Sequence, residues 1–202
     1  MKYIAIISVI ILGLSGCATS PPKRLNNLCH IFDEKPRWYK SAAKAQQKWG
    51  SSIPTMMAIM HQESRFVANA KPPRTRILWV IPGPRKSSSY GYSQAKKSTW
   101  KWYQRSTKQF GTDRNNFADA IDFIGWYNTK TNDTNKVKLS DTYHLYLAYH
   151  EGHGGFKKRS YNHKAWLKKV AKKVSNLASS YTQQLAGCEA SLKAKRSGFW
   201  PF

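Results

Sequence analysis

Glu63 falls on an apolar stripe. In IPTMMAIMHQESRF the side chains of Ile53, Met56, Met57 and Met60 recur at helical spacing, and Glu63 continues the series three residues after Met60. A carboxyl among apolar side chains is driven toward its neutral form, because burial penalises the anion. That is the state a general acid needs near neutral pH. The positive charge of the chain works the other way. Desolvation is local, however, and exposed charges are screened over about 10 Å. A raised pKa is therefore expected at Glu63.

Two further segments carry residues of chemical interest. Gly91-Tyr92-Ser93-Gln94 follows a long irregular stretch. Ala148-Tyr149-His150-Glu151-Gly152-His153-Gly154-Gly155 runs from a helical pattern into glycines. Glu151 reads either as a solvent-facing residue of this turn or as a second carboxylate at a cleft. Asp119 and Asp122 are weaker candidates, since they sit near a helix start, where acids complement the helix dipole. His144, His150 and His153 read as structural or surface histidines rather than metal ligands. Neither a metal nor a cofactor is expected.

In this order and at these spacings, ESRF, GYSQ and AYHEG resemble the E-S-x-F, G-L-M-Q and A-Y-N-A-G motifs of the SLT-type lytic transglycosylases, lysozyme-like enzymes of bacterial cell walls. FADAIDFIGWY, residues 117–127, looks like the family helix that supplies a packed Gly and Tyr. The resemblance covers about residues 38–160. It implies a mainly α, lysozyme-like helical domain with a long irregular loop or short hairpin near the cleft. It also implies that the MurNAc-GlcNAc β-1,4 bond is cleaved with formation of 1,6-anhydroMurNAc, with Glu63 as the single acid and base. Tyr149 matches the tyrosine that orients the acid. Ser64, Gly91, Gln94 and Ala148 match substrate-side positions: Ser64 and Gln94 bond sugar substituents or local backbone, and Gly91 admits close backbone approach. The chain departs from the pattern at His150-Glu151, which replaces Asn-Ala, and in a longer loop whose Trp79 is a candidate sugar platform. Two rival expectations stay open. One is a hydrolytic muramidase, similar to goose-type lysozymes, using Glu63 and a second carboxylate. The other is a catalytically inactive peptidoglycan-binding lipoprotein.

The elements that must position these residues follow from the pattern. Trp38 to Trp49 reads as a helix stopped by Gly50. Ser51 and Ser52 offer caps for the next helix, with Pro54 in its first turn. Residues 67–89 lose periodicity around Pro72, Pro73, Pro82 and Pro84, and the apolar run from Arg76 to Ile81 reads as a strand. Helical patterns return at about 95–105, 116–128, 140–150 and 161–182. In the last, Lys168, Lys169, Lys172 and Lys173 read as a solvated face.

Of 202 residues, 34 are Lys or Arg and 10 are Asp or Glu, a net charge of +24. Such a balance points to an anionic partner. Here the expected partner is the glycan strands of peptidoglycan, whose peptide stems carry carboxylates, rather than nucleic acid, for which no motif is present. Residues 1–16 read as a lipoprotein signal peptide. A short apolar run ends in Leu14-Ser15-Gly16-Cys17, which resembles a bacterial lipobox with Cys17 as the lipidated residue, and no Asp follows it. The expected location is the periplasmic face of the outer membrane, with the protein lipid-anchored and monomeric. Residues 17–36 read as a tether, 37–188 as the lysozyme-like transglycosylase domain and 189–202 as a basic C-terminal tail. Cys29 and Cys188 read as one disulfide in an exported chain, two free thiols or a metal site being the alternatives, the latter without a Cys-x-x-Cys or His-x-x-His grouping to support it.

Overall fold

A computed structural model describes residues 20–77 and 81–197. Cys17 and Trp79 lie outside the described residues, as does the signal peptide. Helix α2 (Pro36–Trp49) ends at Gly50, whose φ of 73° gives the left-handed turn that closes it. The Ser52 side chain accepts from the Thr55 amide and opens α3 (Ile53–Ser64), with Pro54 in the first turn. After a loop come strands β1 (Arg74–Ile77) and β2 (Ile81–Arg85), an antiparallel pair with Arg74 opposite Arg85. The expected single strand at Arg76–Ile81 is therefore replaced by two paired strands, with Ile77 opposite Ile81. Helices α4 (Lys97–Thr107), α5 (Phe117–Asn135) and α6 (Thr142–Lys157) follow. Asn116 and Asp141 cap α5 and α6 through their side chains. A 3-10 turn (Ser160–His163) leads into α7 (Ala165–Ser197), which is 33 residues long.

The architecture is mainly helical, as expected, with a short hairpin beside the cleft. Its centre is α3, which packs against both α5 and α7. Met56, Met57, Ala58, Ile59 and Met60 are all fully buried. The expected stripe is thus only part of the pattern, because a helix apolar on every side belongs inside a core. Helix α2 lies along α5, and α7 also covers α6. Trp38 stacks on Phe117 at 4.0 Å between ring centroids, tying α2 to the start of α5.

Both ends of the domain extend further than the sequence suggests. Residues within the expected tether form helix α1 (Leu28–Glu34), which buries Leu28, Ile31 and Phe32 against α7 and α2. The expected tail begins inside α7, where Leu192 is buried and Glu189 accepts from the Tyr39 hydroxyl at 3.3 Å. Cys29 of α1 and Cys188 of α7 are joined as a disulfide.

Candidate active site

Glu63 occupies the last turn of α3. The helix stops because Arg65 takes a left-handed conformation at φ 50°, and the fully buried Phe66 follows at φ 61°. Consecutive non-glycine residues in this region are uncommon and cluster at functional sites. Phe66 packs on Trp38 and His61, which fixes the exit of the chain just beyond the acid.

The Glu63 side chain is half-buried. It is enclosed by protein but opens into a cleft of about 530 Å³, walled by Pro72, Pro73, Gln94, Lys96, Phe123, Tyr127, Tyr149, His150 and Glu151. Burial pushes the Glu63 pKa up to about 7, against a hydrogen bond from Tyr146 that pulls it down. Tyr146 is itself buried, and desolvation with the neighbouring Glu63 charge raises its own pKa, so its hydroxyl stays a donor. His61, two residues before the acid, is pushed down to about 4 by burial and by the charges of Arg65 and Lys173. It is neutral at physiological pH and places no cation beneath the site.

Tyr149 lines the cleft, but its hydroxyl donates to the Ser93 carbonyl at 2.6 Å. It therefore pins the GYSQ segment to α6, and Tyr146 is the tyrosine bonded to Glu63. Only the Tyr-x-x-Tyr spacing on α6, which sets both hydroxyls on one face, signals Tyr146 in the sequence. Tyr127 meets Tyr149 edge-on at 5.1 Å and completes an aromatic wall.

The structure separates the remaining candidates. Gln94 reaches the cleft, where its side-chain amide donates to the carbonyls of Ala70 and Gly91 at 2.9 and 2.8 Å. Gly91 is not a wall residue. Its φ is 76°, and a Cβ there would lie 2.0 Å from the Arg114 carbonyl oxygen, so the close approach it permits is to the chain's own backbone. Ser64 is buried and donates to the Met60 carbonyl, and Ala148 is fully buried.

Glu151 has a definite partner. Its carboxylate accepts from Lys164 Nζ at 2.8 and 2.9 Å and from the Ser160 hydroxyl, and His150 Nδ1 lies at 3.1 Å. Burial alone would raise its pKa. The hydrogen bonds from Lys164, Ser160 and His150 outweigh that and hold it at about 2. The side chain is only 4% exposed, so Glu151 is neither solvent-facing nor free. Asp122 collects Tyr103, Trp49 and Lys48 between α2, α4 and α5, and Asp119 accepts from the Asp113 amide; neither lines the cleft. His144 pairs with Asp141, and His153 meets Thr131 at 3.0 Å. Among the described residues no group of three or more His, Cys, Asp or Glu is placed to hold a metal ion.

A neutralisable carboxyl at a helix end, a tyrosine donor and an aromatic cleft wall are thus brought together from three separated segments. Residues 5–188 match the profile of the transglycosylase SLT domain. The chain belongs to that family. No curated protein and no solved structure matches it. Within the SLT domain family pattern, the His150-Glu151 departure gains a physical content: α6, beside its break at Gly152, carries an ion pair to Lys164, the residue that follows the 3-10 turn. Gly152, at φ 75° and ψ 158°, breaks the helix at this point and lets the wall turn.

Proposed function

We propose that the chain is a peptidoglycan lytic transglycosylase that cleaves the MurNAc-GlcNAc β-1,4 bond and forms 1,6-anhydroMurNAc. The observation that carries this reading is the contrast between the two carboxyls of the cleft. Glu63, at about 7, can give and regain a proton near neutrality. Glu151, at about 2 and bound through both oxygens by Lys164, is too weak a base to activate water.

In the forward step the Glu63 proton passes to the glycosidic oxygen of the departing GlcNAc, and the C1–O bond breaks. Positive charge builds at MurNAc C1, where the substrate's N-acetyl group can assist. The Glu63 carboxylate, held by the Tyr146 hydroxyl, then takes the proton of the MurNAc 6-hydroxyl as that oxygen bonds to C1. Glu63 ends protonated and no water is consumed. Glu63 thus serves alone where hydrolases of this kind use two carboxyls. The proposal includes lipidation at Cys17 and attachment to the periplasmic face of the outer membrane, supported by the lipobox-like Leu14-Ser15-Gly16-Cys17.

Mass spectrometry of purified sacculi digested by the protein tests the chemistry. Anhydro ends are expected, one water lighter than reducing ends. Reducing ends would instead identify a muramidase, and no digestion would identify a binding protein.

A further inference from the structure

We propose that a second cavity, further along α5 and α6, is a subsite for the carboxylates of the peptide stems borne by the glycan. This rests on the peptidoglycan reading above. The cavity measures about 670 Å³, and its lining includes Lys136, Lys138, Lys157, Arg159, Phe156 and Tyr161. Its one acid, Asp141, is already engaged, accepting from the His144 amide at 3.1 Å with Nδ1 at 2.7 Å. None of the four cations is ion-paired with a carboxylate among the described residues. Four like charges around one concavity repel each other until an anion enters.

The wall is ordered by backbone geometry. Lys136 ends α5 at φ 59° with its amide on the Asn132 carbonyl, and Arg159 sits at φ 54° with its amide on the Phe156 carbonyl. Both left-handed residues turn the chain where a helical segment ends, which fixes the rim of the cavity. Phe156 and Tyr161 stack at 5.2 Å, giving an apolar face for aliphatic stem side chains beside the cationic rim.

The two cavities are aligned. Tyr127 lines the first and Thr134 the second, two turns apart on α5, which is about 10 Å. On α6, Gly152 lines the first and Phe156 the second. His153 lies between them, stacked on Tyr127 at 4.3 Å, with its carbonyl accepting from Asn135. An extended peptide covers about 3.3 Å per residue. Three or four stem residues therefore reach from a sugar in the cleft to the cationic rim.

NMR titration of the folded chain with a synthetic stem tetrapeptide tests the site without catalysis. Saturable shifts are expected at amides 134–138 and 156–161. Binding should weaken about 10-fold when the peptide carboxylates are amidated, and likewise in a Lys157→Gln/Arg159→Gln variant with an unchanged melting temperature. Lys157→Gln alone replaces the double variant if that one fails to fold. No saturable shift at these amides, equal binding of the amidated peptide, or unimpaired binding by the variant would overturn the proposal. Inorganic phosphate shifting these amides while the stem does not would assign the cavity to phosphate instead. In kinetics the variant should raise KM on peptide-bearing glycan and leave stem-stripped glycan unaffected; equal changes on both would also overturn it. A chain that binds stems but forms no anhydro ends keeps the subsite and loses only the proposed reaction.

Discussion

The Tyr146 hydroxyl of α6 donates to the Glu63 carboxyl at the end of α3. This bond favours the carboxylate while burial favours the acid, and the balance falls at about 7. Removing the donor leaves burial unopposed. Tyr146→Phe is expected to move the alkaline limb of the kcat profile toward higher pH and to lower kcat about 10-fold. Turnover of a soluble muropeptide substrate between pH 5 and 9 checks both.

Glu63→Gln is expected to reduce clearing in a peptidoglycan zymogram by about 1000-fold. The same change alters stability with a predictable sign. The folded pKa lies above the ordinary 4.5, so the native state holds the extra proton between the two values and loses stability as pH rises through about 7. A neutral amide avoids that loss. At pH 8 the variant should unfold later than the wild type, by on the order of 1 kcal/mol for a group that still meets cleft solvent. At pH 4 the two should coincide in thermal melts.

For Glu151 the sign reverses. Its pKa is depressed from 4.5 to about 2, so its contribution is present above 4.5 and is lost as pH falls toward 2. Glu151→Gln should destabilise by about 1 to 3 kcal/mol at pH 7, and the difference should shrink to a small remainder by about pH 2. Its products should remain anhydro ends. Urea melts across this range, with mass analysis of digests, check the two statements.

Gly91→Ala should destabilise by about 2 kcal/mol or more, since the methyl meets the Arg114 carbonyl and the backbone sits at positive φ. Arg65→Gly acts oppositely. Arg65 is an exposed left-handed helix stop, and glycine there should add up to about 1 kcal/mol. Denaturant titrations of the two variants should shift in opposite directions.

Much of the scaffold is legible in local signals. Gly50 stops α2, Ser52 caps α3, and the spacing of ESRF, GYSQ and AYHEG marks the parts of the cleft. What escapes is set by tertiary contact. LCHIFDE is too short and too mixed to announce α1, and α7 and α2, with the disulfide, give its apolar residues somewhere to pack. Tyr146 and Tyr149 are equivalent in pattern, and the chain crossing them decides that one meets Glu63 and the other Ser93. The ion pair of Glu151 depends on Lys164, which lies beyond the turn and outside any motif. Gly91 is readable as a close-approach position, but the identity of the approaching backbone is not.

The burial of the body of α3 has a mechanical consequence. Glu63 sits at the end of a helix whose body, from Ile53 to His61, is buried and packed against α5 and α7. Displacing it means dismantling the interior. The position of Glu63 is thereby inherited from the buried body of α3.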